Sequence, residues 1–169
     1  MNWEAAGAIG EIVGAAGVIV TLVYLAVQIR QNTRSLRATA VWDSQMSFVA
    51  INETLADGGK ISQVMYRSLS DPGSLDDFEK HLVHRYLRGF FQRMEAQFAL
   101  YSSGVSPPEL WELRCGYARG LLNKPLVKAA WELDKGNMMF TRGFIEAMES
   151  GPRKELAGFL GVEERGPAA

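Results

Sequence analysis

Residues 5–29 read AAGAIGEIVGAAGVIVTLVYLAVQI, and this stretch decides the fold. Its one ionisable residue is Glu11. At 1.5 Å per residue, a helix over the stretch is about 37 Å long, enough to cross ~30 Å of hydrocarbon with some tilt. A secretory signal would need a basic start and a shorter apolar core. We therefore expect an uncleaved transmembrane helix at residues 1–29, with a buried helix of a soluble protein as the alternative.

Arginines follow this helix, whereas no Lys or Arg precedes it. They are Arg30, Arg34 and Arg37. Because basic residues stay on the cytoplasmic side of a span, we expect a single-pass protein with its amino terminus outside and its carboxyl-terminal domain in the cytoplasm. The same three side chains are expected to contact anionic headgroups of the membrane lipid.

Small residues recur along one face of the span. Gly7, Gly14 and Thr21 are seven residues apart, and Gly10 and Gly17 repeat the spacing with an offset of three. Small side chains let membrane helices approach closely, and Gly10 and Gly14 form a GxxxG pair. The pattern predicts a helix-packing interface, in a homo-oligomer or a larger membrane complex. The alternative is that glycine is simply common in membrane helices.

Glu11 lies beside this seam of small residues. A carboxylate in hydrocarbon costs a few kcal/mol, so it pairs, takes up a proton or lines water. Snorkelling to the nearby interface or protonation is the simpler interpretation. A ring of Glu11 carboxylates around a cation pore is the functional one.

The rest of the chain reads as all-α. Six prolines, 17 glycines and few β-branched runs after the span argue against a sheet. We expect the helix to continue as an extension or stalk over residues 30–57, and a small cytoplasmic helical bundle over 58–150. Residues 151–169, rich in Gly, Pro and charge, are expected to form a flexible tail.

One long apolar helix is expected at the centre of the bundle. Ser74 is its expected start, with Asp77 in a capping box, and Gly104 its expected stop. Its polar stripe is the best candidate for a functional surface and consists of His81, Arg85, Arg88, Gln92 and Glu95. Such a stripe is also typical of a solvated face, and a buried network with Arg114 or Arg119 is a further alternative.

No motif in the sequence points to catalysis, a cofactor or a metal. The formal charge of −1 does not favour nucleic-acid binding, and the single Cys115 cannot form an internal disulfide. No phosphate loop, dinucleotide fingerprint, nucleophile elbow or zinc spacing is present. His81 and His84 lack further histidines to complete a metal site. Ser106 before two prolines is expected to cap a further helix.

A resemblance adds to this interpretation. The segment YLAVQIRQNTRSLR at 24–37 resembles a widespread group of short bacterial membrane proteins of unknown function. The likeness extends to Glu95, Gly104, Trp111 and Trp131. It implies an amino-terminal membrane helix, a small helical domain and a bacterial inner-membrane location. It carries no activity.

Three functions remain open for a non-enzymatic protein of this kind. The first is a self-assembling or accessory scaffold subunit, which needs the glycine seam. The second is an oligomeric channel or pore with Glu11 near its axis. The third is a membrane-tethered small-molecule sensor, which needs a cavity lined by the aromatics around Phe90, Phe91 and Trp111.

Overall fold

The computed structural model describes residues 3–151, and over that range the protein is all-α, without strands, as expected. The helices are α1 (Trp3–Ala56), α2 (Lys60–Ser70), α3 (Asp77–Ser102), α4 (Pro108–Leu121), α5 (Pro125–Gly136) and α6 (Arg142–Glu149), with a 3-10 turn at Pro72–Ser74. The expected flexible tail lies outside the described residues except for Gly151.

Helix α1 contains the predicted span. It is the one helix among the described residues that is long and apolar enough to cross a membrane. Its most apolar window, of mean hydropathy 2.3, has no residue buried inside the protein. A core helix of a soluble protein would be covered by its own chain, so this exposure supports a membrane-spanning helix over the alternative.

The chain divides into two compact units between Ala40 and Val41. The second unit therefore begins within the 30–57 segment. The physical reason is that Phe48 and Ile51 of α1 are buried in the core of the bundle, while Leu36, one turn before the boundary, is exposed.

Helix α3 is the centre of the second unit, as its broad apolar surface predicts. It packs against α2, α4 and α5, and α4 packs against α6. Aromatic rings fill the space between these helices: Trp131 stacks on Phe140 with 5.1 Å between ring centroids, and Trp111 stacks on Tyr101 at 5.8 Å. Both tryptophans are buried core residues.

The expected start of α3 at Ser74 is wrong by two residues. Ser74 ends the 3-10 turn, and Asp76 is the cap. Asp76 accepts a hydrogen bond from the Glu79 backbone N–H, and the Glu79 carboxylate accepts from the Asp76 N–H. This capping box satisfies two of the free donors at the helix start. Gly104 has φ +67°, the left-handed conformation that favours glycine after a helix end.

The expected cap at Ser106 is also wrong. Pro107 occupies the cap position of α4, and Ser106 is buried instead. Its hydroxyl accepts a 2.8 Å hydrogen bond from Gln97 Nε2, while Gln97 Oε1 accepts a 2.6 Å bond from the Ser44 hydroxyl. Gln97 is fully buried, so this relay joins α1, α3 and the loop before α4 inside the second unit.

Candidate functional site: a glycine seam, a buried charge cluster and an apolar cleft

The glycine seam, defined as Gly7, Gly10, Gly14, Gly17 and Thr21, is exposed along α1. A Cβ added at any of the four glycines would meet nothing within 4 Å, and none has a positive φ. Among the described residues, neither packing nor backbone geometry therefore requires glycine there. Small residues recurring on one helix face permit a second helix to approach closely. The Thr21 hydroxyl donates to Gly17 O within the helix.

In the second unit, α1 also leaves large apolar side chains exposed. Trp42 is 63% exposed, and Met46 and Val49 are 39% and 41% exposed. Their spacing of four and three residues places them on one face of the helix. Counted in sevens from Gly7, the same heptad position falls on Trp42 and Val49. These three side chains form an exposed apolar face of α1 within the second unit.

Glu11 and the three arginines after the span are exposed in the first unit. No described residue forms an ion pair with Glu11 or with Arg30, Arg34 and Arg37. Their charges are therefore available to lipid, to water or to another chain.

The predicted polar stripe of α3 divides into two sets. His81, Arg85 and Gln92 are exposed, as on a solvated face. Arg88 and Glu95 are half-buried and bonded to other elements. Glu95 Oε1 accepts a 2.6 Å hydrogen bond from the backbone N–H of Thr141, at the start of α6. The stripe is thus not brought together as one surface, and the alternative of a network with Arg114 or Arg119 is not what forms.

Arg88 instead joins a buried charge cluster, defined as His84, Arg88 and Asp134. The Asp134 side chain is 1% exposed. It accepts hydrogen bonds from Arg88 Nη2 at 2.5 Å and from Arg88 Nε at 3.1 Å, and His84 Nε2 lies 2.9 Å from Asp134 Oδ1. The cluster joins α3 to α5 by hydrogen bonds. Burial alone would raise the pKa of Asp134, but the bonds from Arg88 and His84 outweigh it and the pKa is lowered.

Residues 3–151 contain no group of three or more His, Cys, Asp and Glu side chains placed to hold a metal ion. His84 is hydrogen-bonded to Asp134, and His81 belongs to no such group. Cys115 is buried, and burial raises the pKa of its thiol although Arg119 nearby lowers it in part. A protonated buried thiol is a poor nucleophile.

An apolar cleft of about 540 Å³ opens between the helices of the second unit. Its volume lies within the ~300–1,000 Å³ of typical small-molecule sites. Phe90 lines it, but Phe91 and Trp111 lie in the packed core, so the predicted sensor cavity is only partly the one that forms. The described lining residues are Phe48, Ile51, Asn52, Leu55, Ser62, Met65, Tyr66, Leu69, Tyr86, Leu87, Phe90, Met94, Leu113, Arg114, Tyr117, Leu121 and Val127.

Arg114 is the one charged side chain among these lining residues. Its guanidinium carbon lies 3.8 Å from the centroid of the Phe48 ring, and its Nη2 donates to Gln45 Oε1. No described carboxylate pairs with it. Burial lowers the pKa of Arg114, but an arginine remains a cation near neutral pH.

Tyrosines supply most of the other polar groups of the cleft. The Tyr86 hydroxyl donates to Ile51 O at 3.3 Å, and burial raises the pKa of Tyr86 to about 12. Burial also raises the pKa of Tyr117. Both phenols stay neutral at physiological pH, so the described lining carries a positive charge and no negative one.

Sequence reasoning missed the cluster, the Gln97 relay and the cleft. A signal for the cluster was present: Asp134 follows Val127, Ala130 and Trp131 at the i, i+3, i+4, i+7 spacing of a buried helix face. An acid on such a face needs a cationic partner. The cleft had no comparable signal, because it depends on how several helices pack.

Comparison with known proteins adds no assignment. No family model matches the chain, and no curated protein or solved structure matches it.

Proposed function

We propose that the protein is a non-enzymatic, membrane-anchored helical protein that self-assembles through the glycine seam or joins a larger membrane complex as an accessory subunit. The observation that supports this most is the open space at Gly7, Gly10, Gly14 and Gly17. Four glycines on one face of an exposed apolar helix permit a neighbouring helix to approach closely, and close packing is a main source of helix association in lipid. Self-association is the simpler form because the seam can pack against its own copy.

We place the protein in a bacterial inner membrane, as the resemblance of residues 24–37 implies. Arg30, Arg34 and Arg37 favour a cytoplasmic carboxyl-terminal domain, and their own side chains contact anionic lipid headgroups. The orientation is tested with a membrane-impermeant maleimide on spheroplasts, in a Cys115→Ala background. Trp3→Cys should label in intact spheroplasts, and Gln92→Cys only after permeabilisation. The reverse pattern would overturn the orientation.

Assembly is tested by native mass spectrometry of the full chain released from nanodiscs. We expect a defined homo-oligomer that Gly10→Leu and Gly14→Leu dissociate. Ala16→Leu is the matched control, because Ala16 lies on the opposite face of α1 at 100° per residue. A monomer in all variants would overturn self-assembly, and a particle with a different protein would favour the accessory role.

The channel alternative depends only on Glu11. If the oligomer conducts cations in planar bilayers and Glu11→Gln lowers the conductance, a Glu11 ring lines a pore. A non-conducting oligomer would exclude this alternative.

The cleft favours a second candidate function, a membrane-tethered small-molecule sensor. Its size and apolar lining are those of a ligand site, and Arg114 supplies one polar anchor. Saturable binding of a small molecule to the cleft residues of the full chain would support this function.

A further inference from the structure

The strongest unassigned feature of the protein is Arg114, the one charged side chain among the described residues that line the apolar cleft. The guanidinium carries five N–H donors, and among the described residues Gln45 accepts a hydrogen bond from it. The Phe48 ring covers one face of the Arg114 guanidinium, and the N–H donors at the edge of the guanidinium remain for other partners. A half-buried cation without a counter-ion is uncommon, because desolvation makes pairing favourable.

Gln45, which accepts a hydrogen bond from Arg114, has an unpaired donor of its own. Its Oε1 accepts from Arg114, and its Nε2 is buried without a hydrogen-bond partner among residues 3–151. No other described buried side-chain nitrogen or oxygen is left unpaired. Gln45 is not among the residues that line the cleft, so the donors offered to a ligand there are those of Arg114. Two carboxylate oxygens, which accept and do not donate, match a guanidinium.

The remainder of the cleft is apolar. Helices α1, α2, α3 and α4 supply aromatic, aliphatic and methionine side chains, and methionine adapts to ligands of irregular shape. A cleft of about 540 Å³ is within the size range of small-molecule sites, and its apolar walls suit an alkyl chain.

We propose that the cleft binds a single-chain amphiphile with an anionic head, a long-chain carboxylate, with the head at Arg114 and the tail between α1, α2 and α3. The proposal rests on the sensor candidate above and is independent of self-assembly. A small polar metabolite would leave the apolar walls in contact with water, and a neutral lipid would leave Arg114 without a counter-ion. The membrane to which α1 anchors the chain is a ready source of such a ligand.

The test uses the full chain in nanodiscs of neutral lipid and a long-chain carboxylate that carries a photoreactive diazirine in its tail. Cross-linked positions are mapped by peptide mass spectrometry. We expect saturable labelling at Met65, Leu69 or Leu113, which line the cleft. The matched probes are the long-chain alcohol with the same diazirine, which lacks the charge, and a short-chain carboxylate, which lacks the tail. Both should label these positions at least about tenfold less.

Substitutions test whether the anionic head of the ligand binds at Arg114. Arg114→Gln should lower cleft labelling about tenfold or more, and Arg114→Lys should restore part of it because the charge returns without the planar fork. Arg85→Gln is the matched control, since Arg85 is exposed and does not line the cleft. Leu113→Trp is independent of the Arg114 contacts: Leu113 is 64% exposed, so tryptophan there narrows the cleft mouth without repacking the core. It should also lower labelling.

The possible failures are distinct. Equal labelling by the alcohol, or full labelling of a folded Arg114→Gln variant, would overturn the anionic head while the sensor function stands. Labelling confined to residues 7–29, with the cleft unlabelled, would overturn the long-chain carboxylate as the ligand of the cleft. If the cleft stays unlabelled and Leu113→Trp dissociates the oligomer, a second copy occupies the cleft and the ligand proposal is wrong.

Discussion

Asp134→Asn is the substitution with the largest expected effect on the bundle. It keeps the side-chain volume but removes the charge and places an amide near the Arg88 guanidinium. Breaking one side of a buried ion pair costs about 3–5 kcal/mol. The Arg88 side chain is 20% exposed and regains part of its hydration, so we expect a loss of about 2–4 kcal/mol in the free energy of unfolding.

Thermal unfolding of the full chain in nanodiscs at pH 7 measures this effect. Trp131 reports it by fluorescence, because it is buried one turn before Asp134. At about 4 °C per kcal/mol for a bundle of this size, Tm should fall by about 8–16 °C. Glu132→Gln is the matched control on the same helix. The Glu132 side chain is 48% exposed, and its pair with Lys135 is a surface contact worth little.

The pH dependence gives an independent check. The folded-state pKa of Asp134 is lowered, so its contribution is complete above the unfolded value of about 3.9 and is lost as pH falls through the folded value. The difference in Tm between the protein and Asp134→Asn should therefore shrink below about pH 4. A variant within 2 °C of the protein at pH 7, or a difference that persists unchanged in acid, would refute the charged clamp.

Three further predictions concern the second unit. Gln97→Leu should cost about 1–3 kcal/mol in denaturant unfolding, because it leaves two serine hydroxyls without their partner; no change in the midpoint would mean that the relay is not needed. Gly151→Ala should cost about 0.5–1.5 kcal/mol, since its Cβ would meet the Arg119 guanidinium and turn it away from the last carbonyls of α6, whereas Gly136→Ala, where a Cβ meets nothing, should be tolerated. The Cys115 thiol should react with a disulfide reagent only on unfolding, because burial raises its pKa; rapid reaction of the folded chain at pH 8 would contradict this.

The sequence predicts the features that depend on local spacing. The apolar run of α1, the central place of α3 and the glycine after α3 follow from hydrophobic period and turn chemistry. The two wrong caps have one cause, because a serine near a helix start is ambiguous until its surroundings are known. The Ser106 hydroxyl accepts a hydrogen bond from the buried Gln97, nine residues away, and therefore does not cap α4. The Asp134 cluster required residues 46 and 50 positions apart to meet.

Two features of residues 3–151 have no partner among the described residues. Buried polar groups in proteins are almost always paired, and within the second unit this holds for the Gln97 relay and for Asp134. The described exception is Gln45 Nε2, beside the one arginine of an apolar cleft. Gly7, Gly10, Gly14 and Gly17 are the other such feature, because no packing among the described residues requires glycine at those positions. The two partners proposed above, an anionic ligand and a closely packed helix, would act on different residues. If the anionic-probe labelling and the oligomer mass respond to separate sets of substitutions, ligand binding and assembly are separate properties of the chain; if Arg114→Gln also dissociates a folded oligomer, the two are linked through α1.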